Sequence, residues 1–204
     1  RNFVFASSSS VYGSNTNRPS KEADNCNQAI SLYAATKRSN EEVAHSYADM
    51  YKLKCTGLRF FTVFGPWGRP DMALFKFTES IKKNKYMEVF NNGNHSRDFT
   101  YIDDVVEGIY LSTLRFENFK DRTKNFTIYN IASGKPIKLI NFIRTIEKVL
   151  NKKGKIKYLP MQPGDIADTF GDISKIKREL GYKPKISYVD GVKKFIDWYN
   201  FFYK

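Results

Sequence analysis

The sequence contains few cysteine and histidine residues, and this scarcity excludes several classes of protein. Only two of its 204 residues are cysteine and two are histidine, and none of them has metal-site spacing with other candidate ligands. Cys26 and Cys55 are too few for the disulfide framework of a small secreted domain, so we expect reduced thiols. We predict no bound metal.

Long hydrophobic runs are also missing. The chain is 41% hydrophobic, but it has no uninterrupted apolar run of about 18 residues, the length that a membrane span requires. We therefore predict no membrane span. A chain of 204 residues is long enough to bury one large core, or one and a half domains, of a soluble globular protein.

Acidic side chains are outnumbered by basic ones. The chain has 34 Lys and Arg residues against 21 Asp and Glu, a formal net charge of +13, and 16% aromatic residues. This balance is compatible with a nucleic-acid-binding protein. However, the basic residues are spread in short groups, such as 82–85, 152–155 and 193–194, with no recognisable RNA or DNA motif. That distribution is typical of solvated surface, so we predict no nucleic-acid partner.

The most informative segment is SLYAATKRSNE, residues 31–41. Tyr33 and Lys37 stand four apart at the start of a predicted helix, which places them on one face a turn apart. There the ammonium can favour the phenolate, and the phenolate can remove a proton from an alcohol. The spacing alone is common, and taken by itself it more often indicates a half-buried ring beside a snorkelling lysine.

A second segment, NFVFASSSSVYG, supports the catalytic interpretation. Its apolar run predicts a strand that ends in four consecutive serines, residues 7–10. Side chains at the carboxyl end of such a strand face the crevice of an α/β sheet, where hydroxyls can bond a reacting sugar oxygen.

Together these motifs resemble the extended short-chain dehydrogenase/reductase family. Three further segments narrow the resemblance to its NAD-dependent epimerase/dehydratase branch: GLRFFTVFGPWGRPDMALFKF at 57–77, RDFTYIDDVVEGI at 97–109 and QPGDIADTFGDISKIKRELGY at 162–182. The motifs are most similar to those of UDP-glucuronate 4-epimerases. The resemblance covers essentially the whole chain.

The resemblance implies an α/β fold, in which a Rossmann domain with a doubly wound parallel sheet is joined to a smaller α/β substrate-binding lobe. We expect residues 1–70 to be the C-terminal part of the NAD-binding Rossmann domain. Residues 71–204 are expected to form mainly the substrate-binding lobe, with segments near 98–132 returning to the Rossmann domain.

The family's Gly-rich turn, which cradles the dinucleotide pyrophosphate, has no counterpart among the twelve scattered glycines. The chain starts at what resembles a late strand of the Rossmann sheet. Several βαβ units, on the order of 100 residues, would have to precede it. We therefore expect the C-terminal part of an enzyme, inactive on its own.

The periodicity of apolar residues, with the Gly and Pro residues that interrupt it, predicts eleven strands and helices. The predicted strands are 3–6, 55–60, 88–90, 126–131 and 156–159, and the predicted helices are 32–51, 72–83, 103–114, 139–150, 174–180 and 188–203. The cluster of Gly and Pro at 65–70 is expected to end the second strand. Asp103 and Asp104 are expected to cap the helix that they begin.

The resemblance assigns roles near the reacting carbon. Tyr33 matches the general acid/base, and Lys37 matches the residue that bonds the nicotinamide ribose and favours the phenolate. Ser8 matches the hydroxyl that bonds the sugar C4 oxygen, although a strand-end serine can also simply cap a turn. Phe60 and Val63 match residues that line the nicotinamide pocket. NAD is the implied cofactor.

Four further residues bear on the choice of reaction. Related dehydratases typically have an Asp-Glu pair where this chain has Ser9 and Ser10, and UDP-glucuronate decarboxylases have Glu at the second position. Two serines suit reversible oxidation at C4 and could hold a substrate carboxylate. Thr62, expected in the loop after the second strand, and Arg69 match positions that grip the C6 carboxylate, for which the planar guanidinium is suited. A surface arginine is the alternative for Arg69.

The nucleotide half of the substrate is matched less specifically. Arg97 matches the family's diphosphate-binding arginine. The positions near uridine-contacting residues are Leu74, Lys76, Glu88, Phe90 and Asp165. Lys76 and Asp165 are also compatible with ordinary surface charges.

The implied activity is NAD-dependent epimerisation of UDP-glucuronate to UDP-galacturonate through a 4-keto sugar, by a cytoplasmic homodimer in polysaccharide biosynthesis. The enzyme alternatives are a 4-epimerase of UDP-glucose or UDP-N-acetylglucosamine and a nucleotide-sugar decarboxylase or dehydratase. Arg69, Ser9 and Ser10 argue against them. The non-enzyme alternative is an inactive nucleotide-sugar-binding fragment.

Overall fold

A computed structural model describes residues 2–15, 17–118 and 125–203. The strands are β1 (Asn2–Ser8), β2 (Lys54–Phe60), β3 (Thr62–Phe64), β4 (Tyr86–Val89), β5 (Ser96–Arg97), β6 (Phe99–Tyr101), β7 (Phe126–Ile131), β8 (Ile137–Lys138) and β9 (Lys155–Tyr158). The helices are α1 (Leu32–Tyr51), α2 (Ala73–Lys82), α3 (Ile102–Asn118), α4 (Leu139–Leu150), α5 (Ser174–Leu180) and α6 (Tyr188–Phe202), with 3-10 helices at Ser9–Tyr12 and Asn91–Gly93.

The largest sheet is parallel, with the strand order β1-β2-β7. Ser8 pairs with Phe60, and Phe60 pairs with Ile131, so the three carboxyl ends meet at one edge. The middle strand is buried along nearly its whole length, as expected of a strand covered on both faces. The α/β class predicted from the sequence is confirmed.

A second core lies among α2, α4, α6 and the parallel pair β4-β9. Its buried side chains are mostly aromatic and branched, and Phe99 stacks on Phe142 with ring centres 3.9 Å apart. The core draws on residues from Phe64 to Tyr199. The predicted division into two lobes near residue 70 stays a prediction.

The long elements agree closely with the predicted bounds, whereas the short strands were missed. Helices α1, α4 and α5 and strand β7 have the predicted limits. Thr62, predicted in a loop, instead begins β3, which pairs with β6 in parallel. That prediction is wrong because a three-residue strand has no visible periodicity. Cys26 and Cys55 are free and buried, as predicted.

The capping role predicted for the acidic pair of α3 is also wrong for Asp104. The helix begins at Ile102, and both acids lie in its first turn. The buried carboxylate of Asp104 accepts the backbone N–H groups of Lys185 and Ile186, at 2.9 and 3.1 Å. It therefore ties α3 to the chain before α6.

Candidate functional site

The site begins where β1 ends. Ser8 is buried, and its Oγ accepts the backbone N–H of Ser10 at 3.1 Å, which caps the 3-10 helix that carries Ser9 and Ser10. A hydroxyl that accepts this bond keeps its own hydrogen to donate. Gly13 ends the helix at φ +56, and a Cβ there would lie 1.8 Å from the Gln28 carbonyl oxygen. Only glycine allows this close approach.

Helix α1 carries the predicted catalytic pair to the same edge. Ser31 starts the helix by accepting the N–H of Ala34 at 3.1 Å. The Lys37 ammonium lies 5.8 Å from the centre of the Tyr33 ring and donates to the Ala6 carbonyl at 3.1 Å. Tyr33 is 54% exposed. Lys37 thus lies against β1 two residues before Ser8, and Tyr33 lies beside Lys37.

Arg69 lies on the loop between β3 and α2. Its guanidinium donates two hydrogen bonds to Asp71, Nε to Oδ1 at 3.0 Å and Nη2 to Oδ2 at 2.5 Å. These bonds raise the pKa of Arg69 first, and the nearby Tyr33 phenol adds to the effect. The guanidinium of Arg69, which is 74% exposed, is thus paired with Asp71 at the surface.

A small cleft connects Arg69 to the second core. Its volume is about 60 Å³, and Thr62, Val63, Arg69 and Leu74 are among its lining residues. Trp67, two residues before Arg69, packs on α6 with its ring centre 4.8 Å from that of Phe202. The aromatic contact anchors the loop between β3 and α2 that carries Arg69.

The predicted diphosphate residue Arg97 is paired with a predicted uridine residue. Its Nη2 donates to Asp165 Oδ1 at 3.0 Å, and its Nη1 donates to the Ala167 carbonyl at 2.7 Å. Burial lowers the pKa of Arg97, and Asp165 and Asp168 act in the opposite direction. This segment approaches the residues just before α1, since a Cβ at Gly164 would lie 3.3 Å from the carbonyl oxygen of Ile30.

The other predicted substrate residues are less clearly assembled. Lys76 and Glu88 are exposed, and within the described ranges no hydrogen bond or ion pair links either one to Arg97 or Asp165. Phe90 is half-buried at the start of the second 3-10 helix. Phe60, predicted for the nicotinamide pocket, is half-buried at the end of β2.

A buried ion pair that sequence reasoning missed lies beneath the site. Arg59 of β2 donates from Nε and Nη2 to the two carboxylate oxygens of Glu41 on α1, each at 2.8 Å. Ser7 donates to the same carboxylate at 2.5 Å and Arg38 at 3.0 Å. The available signal was an arginine inside an otherwise apolar strand, because a buried charge requires a partner.

Burial and ion pairing have opposite effects on the pKa of Glu41 in this cluster. Burial alone would raise the pKa of Glu41, but the hydrogen bonds and charge of Arg59, with the bonds from Ser7 and Arg38, hold it below its ordinary value. Burial raises the pKa of Tyr12 well above its usual range, against the nearby guanidinium of Arg59. Glu41 is therefore an anion and Tyr12 a neutral phenol.

Asp98 is a second buried anchor that was missed. Its carboxylate accepts the N–H groups of Ser133, Gly134 and Gly171 at 2.7, 3.1 and 3.2 Å, and the Ser133 hydroxyl at 2.7 Å. It follows Arg97 directly, so it holds that residue's strand against two loops.

Over 2–15, 17–118 and 125–203, no group of three or more His, Cys, Asp or Glu side chains could hold a metal ion. No helix in those ranges is long and apolar enough to cross a membrane.

Comparisons with known proteins agree on one family. The model of the NAD dependent epimerase/dehydratase family matches residues 1–132. Protein CapI of Staphylococcus aureus is 44% identical over 215 residues, covering 100% of this chain and 64% of CapI. A probable UDP-glucuronate 4-epimerase of Rhizobium meliloti is 41% identical over 212 residues, covering 98% and 62%.

A solved structure extends the likeness to three dimensions. The UDP-glucuronic acid 4-epimerase of Bacillus cereus, in complex with UDP-glucuronic acid and NAD, matches with a TM-score of 0.88 at 31% identity, covering 98% of this chain and 61% of that one. The chain thus spans less than two thirds of the length of these relatives. Its parallel α/β architecture is that of the Rossmann-fold epimerases. From the family match over residues 1–132 and these likenesses, the chain belongs to the NAD dependent epimerase/dehydratase family.

Proposed function

We propose that this chain is the catalytic and substrate-binding part of an NAD-dependent 4-epimerase that interconverts UDP-glucuronate and UDP-galacturonate. The observation that carries the proposal is that the Lys37 ammonium, 5.8 Å from the centre of the Tyr33 ring, bonds the Ala6 carbonyl of β1, two residues before the buried Ser8. The similarity to UDP-glucuronate 4-epimerases supports it.

In this proposal Tyr33 holds and moves the proton. Its phenolate, favoured by the Lys37 ammonium, takes the proton of the C4 hydroxyl while Ser8 donates a hydrogen bond to the C4 oxygen. The 4-keto sugar then turns about its diphosphate linkage, and Tyr33 returns the proton to the oxygen on the opposite face. NAD, held by Lys37 at its ribose, would supply reversible hydride transfer at C4.

The residues present fit that cofactor. An ammonium and a phenol on one helix face suit the ribose of a nicotinamide nucleotide, and the half-buried Phe60 and Val63 lie beside the strand ends. Lys37 would bond the ribose, while Phe60 and Val63 would exclude water from the nicotinamide.

Substrate choice rests on charge. Arg69 would grip the C6 carboxylate with Thr62, and Ser9 and Ser10 would add neutral donors. A 4-keto glucuronate is a β-keto acid prone to lose CO2, so this grip must also hold the carboxylate where decarboxylation is poorly aligned. Arg97 would bind the diphosphate; the residues proposed near uridine are Leu74, Lys76, Glu88, Phe90 and Asp165.

The wider setting belongs to the same proposal. We propose a cytoplasmic homodimer that serves polysaccharide biosynthesis, with the Rossmann domain and substrate lobe divided near residue 70. The outer face of α1 supports pairing with another copy or another helix, because Leu32, Val43, Tyr47 and Met50 are exposed there.

The test uses the full-length protein with UDP-glucuronate and NAD, with products separated by anion-exchange chromatography. We expect UDP-galacturonate without release of CO2. Release of CO2 would assign the reaction to a decarboxylase. Turnover of UDP-glucose or UDP-N-acetylglucosamine in preference to the acid would assign it to a neutral-sugar epimerase. Binding of UDP-sugar without turnover would leave a nucleotide-sugar-binding protein.

A further inference from the structure

Helix α1 is held against the sheet mainly through small side chains. Its buried residues are Ala34, Ala44, Ala48 and Glu41. Alanine side chains make shallow ridges, which interlock weakly with a facing surface and do little to oppose sliding of a helix along its axis. Besides the edge contact of the His45 ring with Phe126 of β7, the axial position of α1 therefore depends on polar contacts, and the position of Tyr33 and Lys37 depends on α1.

Glu41 supplies most of those contacts. Oε1 accepts from Ser7 and from Arg59 Nε, and Oε2 accepts from Arg59 Nη2 and from Arg38. Both partners of the Glu41–Arg59 pair are at most 3% exposed. A bidentate pair of this kind fixes direction as well as distance.

The network extends past Arg59 to the last strand of the sheet. The Arg59 guanidinium lies 4.8 Å from the centre of the Tyr12 ring, and the Tyr12 hydroxyl donates to Asn130 Oδ1 at 2.6 Å. Asn130 in turn donates to the carbonyls of Ser20 and Asp172, at 2.9 and 3.0 Å. Through these contacts the carboxylate of Glu41 is connected to all three strands β1, β2 and β7.

Each end of this network adjoins a predicted site residue. Ser7 precedes Ser8, Tyr12 ends the 3-10 helix that carries Ser9 and Ser10, and Glu41 follows Lys37 by one helical turn. We propose that Glu41 is a positioning residue for the reaction, which sets Tyr33 and Lys37 of α1 in register with Ser8 of β1. The inference rests on the proposed function for the roles of those three groups.

The central experiment compares Glu41→Gln with Glu42→Gln in the full-length protein. Glu42 is a matched control, because it is the next carboxylate on α1 and pairs with Arg38 at the exposed surface. Glutamine at 41 keeps the shape but loses the charge and one of the two oxygens that accept from Arg59. A shift of α1 of about 1 Å can cost on the order of 100-fold, so we expect kcat to fall roughly 10- to 100-fold in Glu41→Gln. KM for the UDP-sugar should stay within about threefold, and Glu42→Gln should match wild type.

NAD⁺ affinity provides a readout that needs no turnover. Because Lys37 would bond the ribose, we expect the Kd for NAD⁺, measured by calorimetry, to rise about three- to tenfold in Glu41→Gln and to stay unchanged in Glu42→Gln. Equal kcat and equal Kd for the two variants would overturn the inference and leave Glu41 a purely structural residue. So would a loss of activity that only follows the loss of folded protein in a thermal melt.

If Glu41→Gln does not fold, a milder variant can still test the inference. Ser7→Ala keeps the ion pair and removes the hydrogen bond between β1 and the carboxylate, so we expect a roughly tenfold lower kcat with unchanged KM. Wild-type kcat in this folded variant would overturn the inference. If wild type converts no UDP-sugar, the proposed function fails, and the NAD⁺ comparison still decides the role of Glu41.

Discussion

Arg69 and Asp71 form a two-point ion pair on the rim of the candidate site, with Nε–Oδ1 and Nη2–Oδ2 distances of 3.0 and 2.5 Å. The Asp71 carboxylate thus occupies the geometry that a sugar carboxylate would need on the same guanidinium. A substrate carboxylate has to displace Asp71 or use the remaining face of Arg69.

This pairing predicts that Asp71→Asn improves binding of the acidic sugar. Asparagine cannot neutralise Arg69, so we expect KM for UDP-glucuronate to fall roughly two- to fivefold, with UDP-glucose unaffected. Steady-state kinetics on both sugars measures the effect. A higher KM for UDP-glucuronate would instead mean that Asp71 holds Arg69 in its binding position.

Removal of the Arg69 side chain should weaken the binding of acidic UDP-sugars and not of neutral ones. Arg69→Ala leaves the sugar carboxylate without its cationic partner, so we expect KM for UDP-glucuronate to rise at least roughly tenfold. UDP-glucose should change far less. Equal losses on both sugars would show that Arg69 only supports the loop, and would favour the neutral-sugar epimerase.

Replacement of the phenol tests the acid/base assignment. Tyr33→Phe removes the group that takes and returns the proton, and we expect kcat to fall by about three decades or more while UDP binding hardly changes. Product formation gives kcat and calorimetry gives the Kd of UDP. Activity within tenfold of wild type would refute the assignment.

Acid should destabilise the protein partly through Glu41. Its pKa is lowered in the folded state, so its contribution is present above the unfolded pKa of about 4.3 and is lost as pH falls through the folded value. Denaturant melts of wild type and Glu41→Gln between neutral and acidic pH measure this. The stability difference should shrink on acidification, and a constant difference would contradict the assignment.

The buried Tyr12 hydroxyl should contribute to the stability of the folded protein. Tyr12→Phe leaves the buried Asn130 oxygen without its donor, at a cost of about 1–2 kcal/mol. Tyr86→Phe is the control, because that ring is exposed on β4. Denaturant melts of the two variants should differ by this amount; equal midpoints would mean that Asn130 finds another partner.

The sequence by itself determined the features that depend on local pattern. The apolar period of α4 and the cap of α1 set helices whose limits were predicted correctly. Likewise the spacing of Tyr33 and Lys37, with the serines after β1, indicated the family. These signals lie within one or two turns of chain, so they can be read without knowing what packs against them.

Only the tertiary structure decided which distant groups pair. The two-residue strands β5 and β8 have no period of their own and exist because Arg97 pairs with Ile137 across the fold. The same holds for Arg59 with Glu41 and for Asp104 with the backbone before α6. A buried charge predicts that a partner exists, but its identity depends on which elements the packed cores bring together.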